Sequence, residues 1–413
     1  MKEHRINKSS SSTSDLIASL TILFNTFTWF YMLRAVINTV LQDQNNISFF
    51  VIFDSAVIFS SIFGAFIARK TKRAYIIYFW ITLGVITSLL TAFLDITLIE
   101  NLSVIALFFG FSFGLGIPSG LAYFADCTMF ENRGRNSGFL FMISNLGGFL
   151  FLITLGENLF WILIVASIWR TTGLITLILI RPRKIEGELK VYSSFKSILS
   201  NRSFILYIVP WLLFCLVDSI EKPYFISLAR ISGVAGEKFI AFDEVLEPLI
   251  GTIFAFISGF VADQIGRKKV VLYGFIALGI TFAALSLAPT MQAFWYVTSA
   301  IDGIAWGVFY VMFVLVLWGD LSPSNDIREK YFALGGIPFF FAELLGKVVY
   351  PFAQEISIQT VNAAFPLASF FLFLAVVPLM YAPETLPEKK IRERELKRYI
   401  EKAKKIKEKY VKE

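Results

Sequence analysis

The sequence predicts an all-α membrane protein of twelve transmembrane helices, arranged as two pseudo-symmetric six-helix bundles. Three observations predict this fold. Hydrophobic residues make up 56% of the 413 residues, charged residues only 17%, and the mean hydropathy is +0.68. Apolar runs of about 18 to 25 residues, long enough to cross the hydrocarbon core as a helix, recur along the chain. One short glycine-containing basic motif occurs twice, which indicates two related halves.

The apolar runs and the polar breaks between them divide the chain into five segments. These are a cytoplasmic N-terminal segment 1–15, an N-terminal bundle 16–180, a central loop 181–203, a C-terminal bundle 204–382 and a basic tail 383–413. The predicted spans are 16–41, 47–68, 74–95, 102–125, 137–156, 159–180, 204–229, 239–262, 270–288, 293–318, 331–353 and 363–381.

The distribution of Lys and Arg predicts the orientation. Basic residues crowd the N-terminal segment and alternate connections, whereas the intervening turns carry almost none, apart from Arg230 and Lys238 in one turn. Because cytoplasmic loops of membrane proteins are enriched in Lys and Arg, both termini are expected in the cytoplasm. We therefore expect a multi-pass protein of the plasma membrane. The basic connections are 2–8, 69–73, 133–135, 181–196, 267–269, 328–330 and the tail.

The formal net charge of +7 does not predict nucleic-acid binding, because residues 388–413 alone hold twelve basic and six acidic residues. Apolar residues recur in this tail at roughly helical spacing. The tail is therefore expected either to lie as a charged helix on anionic lipid or to be a solvated segment that only fixes topology.

The sequence offers little for catalysis. The only histidine is His4, Cys127 and Cys215 are not expected to form a disulfide, and no GxxxxGK[ST] phosphate loop is present. We therefore expect no enzyme activity, no cofactor and no metal site. An intramembrane enzyme would need a nucleophile with a base, or metal ligands, at one depth, and only carboxylates are available.

The repeated motif reads GAFIARKTKR at 64–73 and GFVADQIGRK at 259–268. The second copy follows the eighth predicted span, and its marked residues are Gly259, Asp263, Gly266, Arg267 and Lys268. Further echoes lie at the ends of the fourth and tenth spans, where Asp126 with Arg133 is mirrored by Asp320 with Arg328. This pattern resembles the signature loop of the major facilitator superfamily, which lies between the second and third helices of each six-helix half.

The resemblance implies a transporter in which the signature loop braces the two halves on the cytoplasmic side; we expect it to be a monomer. Asp263 would then face the start of the fifth span, near Arg133, Arg135 and Asn136. In the first copy Gly64 is kept but Ala68 replaces the aspartate, so basic residues 69–73 could face Asp320 and Asp326 instead. The alternative is that both copies are only topology signals.

A second resemblance is more local. Pro383, Glu384 and Thr385 are similar to the PET sequence that follows the last helix of sugar porters in this superfamily. The central loop lacks the corresponding sugar-porter motif.

Charged residues inside the spans are candidates for function, because each costs at least about 2.5 kcal/mol at the bilayer centre unless it is paired or hydrated. Asp218 with Lys222 and Glu343 with Lys347 are spaced i,i+4 and could neutralise each other; Asp243 and Glu244 could be interfacial. A structural role and a role in binding substrate or protons both stay open. The candidates are Arg34, Asp54, Arg170, Asp218, Glu221, Glu247, Asp302, Glu343 and Lys347.

The function we predict is secondary active transport of a small solute by alternating access, coupled to protons. Acidic residues outnumber basic ones in the predicted spans, which favours protons or cations. The alternatives are a membrane receptor or sensor of the same fold that does not transport, and a sugar-porter-like facilitator.

Overall fold

A computed structural model describes residues 13–41, 47–68, 71–94, 98–155, 158–181, 194–231, 237–353, 358–386 and 396. Within these residues, twelve helices are long and apolar enough to cross a membrane, and no strand is present. The predicted fold class is therefore confirmed. The predictions for the N-terminal segment, most of the central loop and the basic tail lie outside the described residues.

The spans match the predicted ones in order and position. Spans 1 to 3 are single helices, span 4 is interrupted at Gly116, and spans 8 and 10 each contain a π-helical turn. The first half comprises Thr13–Leu41, Ile47–Ile67, Arg73–Phe93, Ile99–Gly114 with Ile117–Cys127, Arg133–Leu155 and Leu159–Ile180. The second half comprises Arg202–Ile231, Glu237–Ala241 with Phe242–Leu246 and Glu247–Ile265, Arg267–Leu287, Gln292–Phe309 with Tyr310–Val316 and Leu317–Leu321, Arg328–Ala353 and Ile358–Tyr381.

The two halves meet along two equivalent helix pairs. Span 5 packs against span 8, and span 2 packs against span 11. At the first crossing, a Cβ on Gly134 would lie 2.5 Å from the carbonyl oxygen of Gly259, so glycine is required for this close approach. Ala68, at the end of span 2, is buried.

The even number of alternating spans brings the first and last described helix ends to one side of the bundle. We call this side, which holds Thr13 and Leu386, the terminal end, and the opposite side the far end. Spans 3, 5, 9 and 11 begin at the terminal end, and spans 4, 8, 10 and 12 finish there. The charged residues of the repeated motif therefore meet at the terminal end.

Candidate functional site

Eight charged side chains from both halves form what we call the terminal network. It consists of Arg73, Asp126, Arg133, Asp263, Arg267, Asp320, Arg328 and Glu329. Seven of these side chains are at most 7% exposed, and Asp126 is 11% exposed. Loss of one partner would leave a buried charge uncompensated, at a cost of about 3–5 kcal/mol, so the three pairs that cross between the halves, Arg133–Asp320, Arg328–Asp126 and Arg73–Glu329, connect the halves at the terminal end.

Two aspartates hold equivalent positions in the network. Asp320 pairs with Arg133 of the first half and lies 3.4 Å from the Nε of Arg267 in its own half. Asp126 pairs with Arg328 of the second half and, at 2.5 Å, with Arg73 of its own half. Each aspartate thus binds one arginine from either half, and the duplication seen in the sequence reappears as two matching ion-pair triads.

Asp263 binds the start of span 5, the contact expected from the repeat. Its carboxylate accepts hydrogen bonds from the backbone N–H of Gly134 at 3.0 Å and of Arg135 at 2.7 Å, and it pairs with Arg267 at 2.7 Å. The unpaired N–H groups and the positive dipole of a helix N-terminus favour a carboxylate at this place. The carboxylate at the end of span 8 is therefore stabilised by the other half.

The first copy of the motif is built differently, and one expectation about it is wrong. Arg73 does not face Asp320, which is occupied by Arg133 and Arg267; it binds Asp126 and, at 2.8 Å, Glu329. The side chain of Asp326 and residues 69–70 lie outside the described part. The sequence analysis does not single out Glu329, because the sequence shows it only as an acid between two basic residues of a polar connection.

The remaining motif residues act within their own half. Gly266 has φ +108°, a conformation that favours glycine, and span 9 begins directly after it. The carboxylate of Glu384 accepts hydrogen bonds from the N–H of Arg267 at 2.8 Å and of Lys268 at 3.2 Å. The PET sequence therefore contributes a cap for span 9.

Gly64 and Lys268 likewise stay within one half. A Cβ on Gly64 would collide with the carbonyl group of Leu115 in span 4. The ammonium of Lys268 donates to the carbonyl oxygen of Met380 at 2.8 Å.

Deeper in the bundle, the halves are joined by what we call the central charge cluster: Arg34, Asp54, Glu343 and Lys347. Arg34 of span 1 binds Glu343 of span 11 at 3.4 Å, and both side chains are partly exposed, at 32% and 24%. Asp54 is buried and interacts electrostatically with the other three. Each half contributes one acid and one base, so the cluster is formally neutral.

The expected pairing of Glu343 with Lys347 does not occur. The ammonium of Lys347 lies 4.7 Å from the ring centroid of Phe50, a cation–π contact, while Glu343 turns to Arg34. Asp218, on span 7, accepts a hydrogen bond from the indole of Trp306 at 2.7 Å. The side chain of Lys222 lies outside the described residues, so its pairing with Asp218 stays a prediction.

A central cavity of about 60 Å³ lies between the halves, on the terminal side of this cluster. Its walls are aromatic and aliphatic, and Tyr310 lines it while interacting electrostatically with Arg34 and Glu343. Trp211 and Trp318 belong to the same wall. The cavity thus offers an apolar chamber with a charged group at one side.

Arg170 is fully buried inside the first half and stands apart from both networks. Its guanidinium lies between the rings of Trp29 and Trp80, at 5.0 and 4.6 Å, and donates to Asn25 at 3.1 Å and Thr26 at 2.5 Å. Within the described part of the chain it forms no ion pair, and its Nε and Nη2 have no hydrogen-bond acceptor. The indoles of Trp29 and Trp80 therefore take the place of the carboxylate partner that a buried arginine usually has.

The other acidic candidates meet in a third place, toward the far end of the second half. Glu221, Asp243, Glu247 and Asp302 line one small pocket between spans 7, 8 and 10. Asp243 is 5% exposed, so it is buried and not interfacial, whereas Glu244 is exposed as expected. Among the described residues, no three His, Cys, Asp or Glu side chains form a metal-binding cluster.

These features define a class: a multi-pass membrane protein of two matching six-helix halves, joined by ion pairs at the terminal end and enclosing a cavity. The sequence model of the Major Facilitator Superfamily matches residues 246–411. The second half of the chain is therefore similar in sequence to the major facilitator superfamily. The fold extends the likeness to the first half, as the structural comparisons below show.

The structure is similar to a bacterial homologue of the iron transporter ferroportin in its outward-facing state, with a TM-score of 0.71 and 13% identity, over 89% of this chain and 98% of that one. It is also similar to the proton:xylose symporter XylE bound to 6-bromo-6-deoxy-D-glucose, with a TM-score of 0.64 and 16% identity, over 92% and 97% of the two chains. At these identities the likeness is one of fold.

One curated relative matches part of the sequence. It is a putative metabolite transport protein of Haemophilus influenzae (strain ATCC 51907 / DSM 11121 / KW20 / Rd), 28% identical over 142 residues, which are 33% of this chain. The match spans 30% of that relative's length.

Proposed function

We propose that the protein is a secondary active transporter that moves a small solute by alternating access, with proton coupling at the central charge cluster. One observation carries the proposal: Arg34 and Glu343, from different halves, form an ion pair inside the bundle beside the cavity. Rocking of the halves changes the distance between these two groups. A proton on Glu343 would release Arg34, so protonation and opening are linked through the same contact.

The cavity walls favour an amphipathic solute. Nearly all residues that line the chamber are aromatic or aliphatic, with Ser61 and Tyr310 among the few side chains that carry a hydroxyl. A sugar presents many hydroxyls, and each of them would lose a hydrogen bond with water in such a chamber. A solute with an apolar body and one polar or ionic group would place the body in the chamber and the polar group at the cluster.

The relatives support transport as the activity without naming the solute. The fold neighbours are described as an iron transporter homologue and a proton:xylose symporter, and the matching curated relative as a metabolite transport protein. We propose no enzyme activity. We propose a monomer in the plasma membrane. The distribution of basic residues supports both termini in the cytoplasm, so that the terminal network would close the cytoplasmic side and the tail would contact anionic lipid.

The test uses purified protein in proteoliposomes. A thermal-shift screen against metabolites, sugars and lipophilic cations identifies a solute, because binding to the native state raises the unfolding temperature. Uptake of that solute is then driven by a pH difference. Glu343→Gln should retain binding and exchange but lose accumulation, while Glu100→Gln, at an exposed position at the far end of span 4, should accumulate solute as the parent does.

The receptor alternative predicts a different outcome. A sensor of this fold would bind the solute and show no accumulation or exchange with any driving gradient. Full pH-driven accumulation by the Glu343→Gln protein would contradict the assignment of the coupling site.

A further inference from the structure

The acidic pocket of the second half contains two hydroxyls that its own protein groups leave unused. Thr298 and Ser299, on span 10, are each 1% exposed, and their side-chain oxygens have no hydrogen-bond partner. Both line the same pocket as Glu221, Asp243, Glu247 and Asp302. A buried hydroxyl without a partner costs about 1–3 kcal/mol, so two adjacent ones indicate that the pocket has an occupant.

The size of the pocket limits that occupant. The space amounts to about 10 Å³, which is the room of one water-sized particle. A metabolite does not fit, and neither does an ion that keeps a shell of water molecules, as Mg²⁺ does.

The chemistry of the lining limits it further. The polar atoms on the walls are carboxylate and hydroxyl oxygens, no lining residue is basic, and Phe225 and Phe282 complete the wall. Oxygen donors of this kind are ligands for hard cations, whereas thiolate and imidazole ligands select softer metals. No three of the acids form a metal-binding cluster, so one ion would meet at most two carboxylates together with the hydroxyls.

We propose that this acidic pocket is a binding site for a single dehydrated alkali cation of the size of sodium, held by Ser299, Thr298 and carboxylates of spans 7, 8 and 10. At most two carboxylates and two hydroxyls are too few ligands for Ca²⁺, which takes about six to eight oxygens, so the small pocket suits a monovalent ion. The site lies in the second half alone, so it is separate from the central charge cluster, to which each half contributes two residues.

The consequence for transport rests on the proposed function, since a cation bound here would make the transporter ion-coupled at a second place. Binding itself is measured without any solute. If the protein binds sodium but accumulates no solute, the sodium site stands and the proposed transport function fails. If it accumulates a solute with a pH difference but does not bind sodium, the transport function stands and the sodium site fails.

The experiment compares thermal unfolding of the purified full-length protein in sodium, potassium and choline chloride at equal ionic strength. Sodium should raise the unfolding temperature along a saturable curve, and potassium and choline should not. Ser299→Ala should raise the half-saturating sodium concentration about tenfold, the effect of losing one ligand of about 1.4 kcal/mol. Asp302→Asn should abolish the response.

The matched control is Ser258→Ala, in span 8 of the same half. Ser258 is 5% exposed, and its hydroxyl donates to the carbonyl oxygen of Ala255 at 3.0 Å, so it is buried and satisfied. This variant should keep the full sodium response. In choline, Ser299→Ala should unfold no earlier than the parent, because the hydroxyl it removes has no partner in the empty pocket.

Three results would overturn the proposal. The first is equal stabilisation by sodium, potassium and choline, which would be an effect of ionic strength. The second is an unchanged sodium response in both Ser299→Ala and Asp302→Asn. The third is stabilisation by calcium or manganese but not by sodium, which would assign the pocket to a divalent ion.

Discussion

Arg73 and Glu329 form an ion pair of 2.8 Å across the two halves, on the side of the network whose motif copy lacks its aspartate. In the second copy Asp263 supplies a carboxylate from span 8, whereas Ala68 at the corresponding position of span 2 supplies none. Glu329, at the start of span 11, brings the carboxylate from the other half instead. At the terminal end, each of the two crossings thus has an acid that binds the opposite half. Asp263, at the end of span 8, is the acid at one crossing, and Glu329, at the start of span 11, is the acid at the other.

This arrangement predicts unequal costs for the two partners. Arg73→Gln leaves both Asp126 and Glu329 without that arginine, whereas Glu329→Gln leaves Arg73 bound to Asp126. The unfolding temperature should therefore fall further for Arg73→Gln, in line with the cost of about 3–5 kcal/mol for breaking a buried pair. The double variant should be no less stable than Arg73→Gln alone, which thermal unfolding of the three proteins measures. Additive losses would show that the two residues act independently.

Asp263 is expected to control access to the terminal end. Asp263→Asn removes the carboxylate that binds the N–H groups of Gly134 and Arg135, so the closed arrangement should lose about 1–3 kcal/mol. The native Cys127, buried at the end of span 4 near the network, reports this opening. In a Cys215→Ser background, alkylation of Cys127 should become about tenfold faster.

The control for this labelling is Lys269→Gln, a change at an exposed position two residues from Arg267. It should label at the parental rate. Equal labelling of the Asp263→Asn protein would mean that the motif serves only as a topology signal.

Gly134, at the crossing of spans 5 and 8, and Gly336, in span 11, should respond in opposite ways to replacement by alanine. Gly134→Ala places a Cβ 2.5 Å from the carbonyl oxygen of Gly259, so the helices must separate and the unfolding temperature should fall. Gly336→Ala meets nothing within 4 Å and should be neutral or stabilising, by up to about 1 kcal/mol of helix propensity. Thermal unfolding of the two variants tests this, and a stable Gly134→Ala protein would contradict the close approach.

The environment of Arg170 predicts how the unfolding temperature depends on a buried cation that forms no ion pair among the described residues. Arg170→Met keeps an elongated apolar body and removes the buried cation, whereas Arg170→Lys keeps the cation and loses the planar group between Trp29 and Trp80. We expect the Met variant to unfold at a temperature equal to or higher than the Lys variant. The reverse order would show that the attraction of a cation to the two indoles outweighs the cost of burying it.

The twelve spans could be predicted from the sequence because hydrocarbon thickness sets their length and every backbone polar group must be satisfied within the helix. The contact of Asp263 with span 5 was also predictable, since the repeat fixes which helix starts lie beside it. The partners of long charged side chains could not be predicted, because such a side chain can reach several groups. The i,i+4 spacing favours a pair of Glu343 with Lys347. In the structure both side chains contact the first half instead: Glu343 binds Arg34, and Lys347 packs against the ring of Phe50.

The acidic candidates illustrate the same limit. Glu343 and Glu247 are both carboxylates within apolar spans, and for each of them the sequence leaves a structural role and a binding role open. Only the packing of the helices distinguishes them: Glu343 lies where the two halves meet, and Glu247 lines a small pocket within the second half. The position of Asp243 near a span end leaves open that it lies at the membrane surface, but its side chain, in the π-helical turn Phe242–Leu246, is buried.

The substitution of Ala68 and the presence of Glu329 have a consequence for the symmetry of the molecule. Two identical half-chains could not carry this arrangement, because the residue that corresponds to Glu329 in the first half is Gly134, where any side chain would collide with Gly259. A glutamate that binds across the crossing of spans 2 and 11 would, at the equivalent position of span 5, force spans 5 and 8 apart. Because the two halves differ in sequence, each crossing has its own residues, so one crossing can weaken or strengthen while its counterpart stays unchanged.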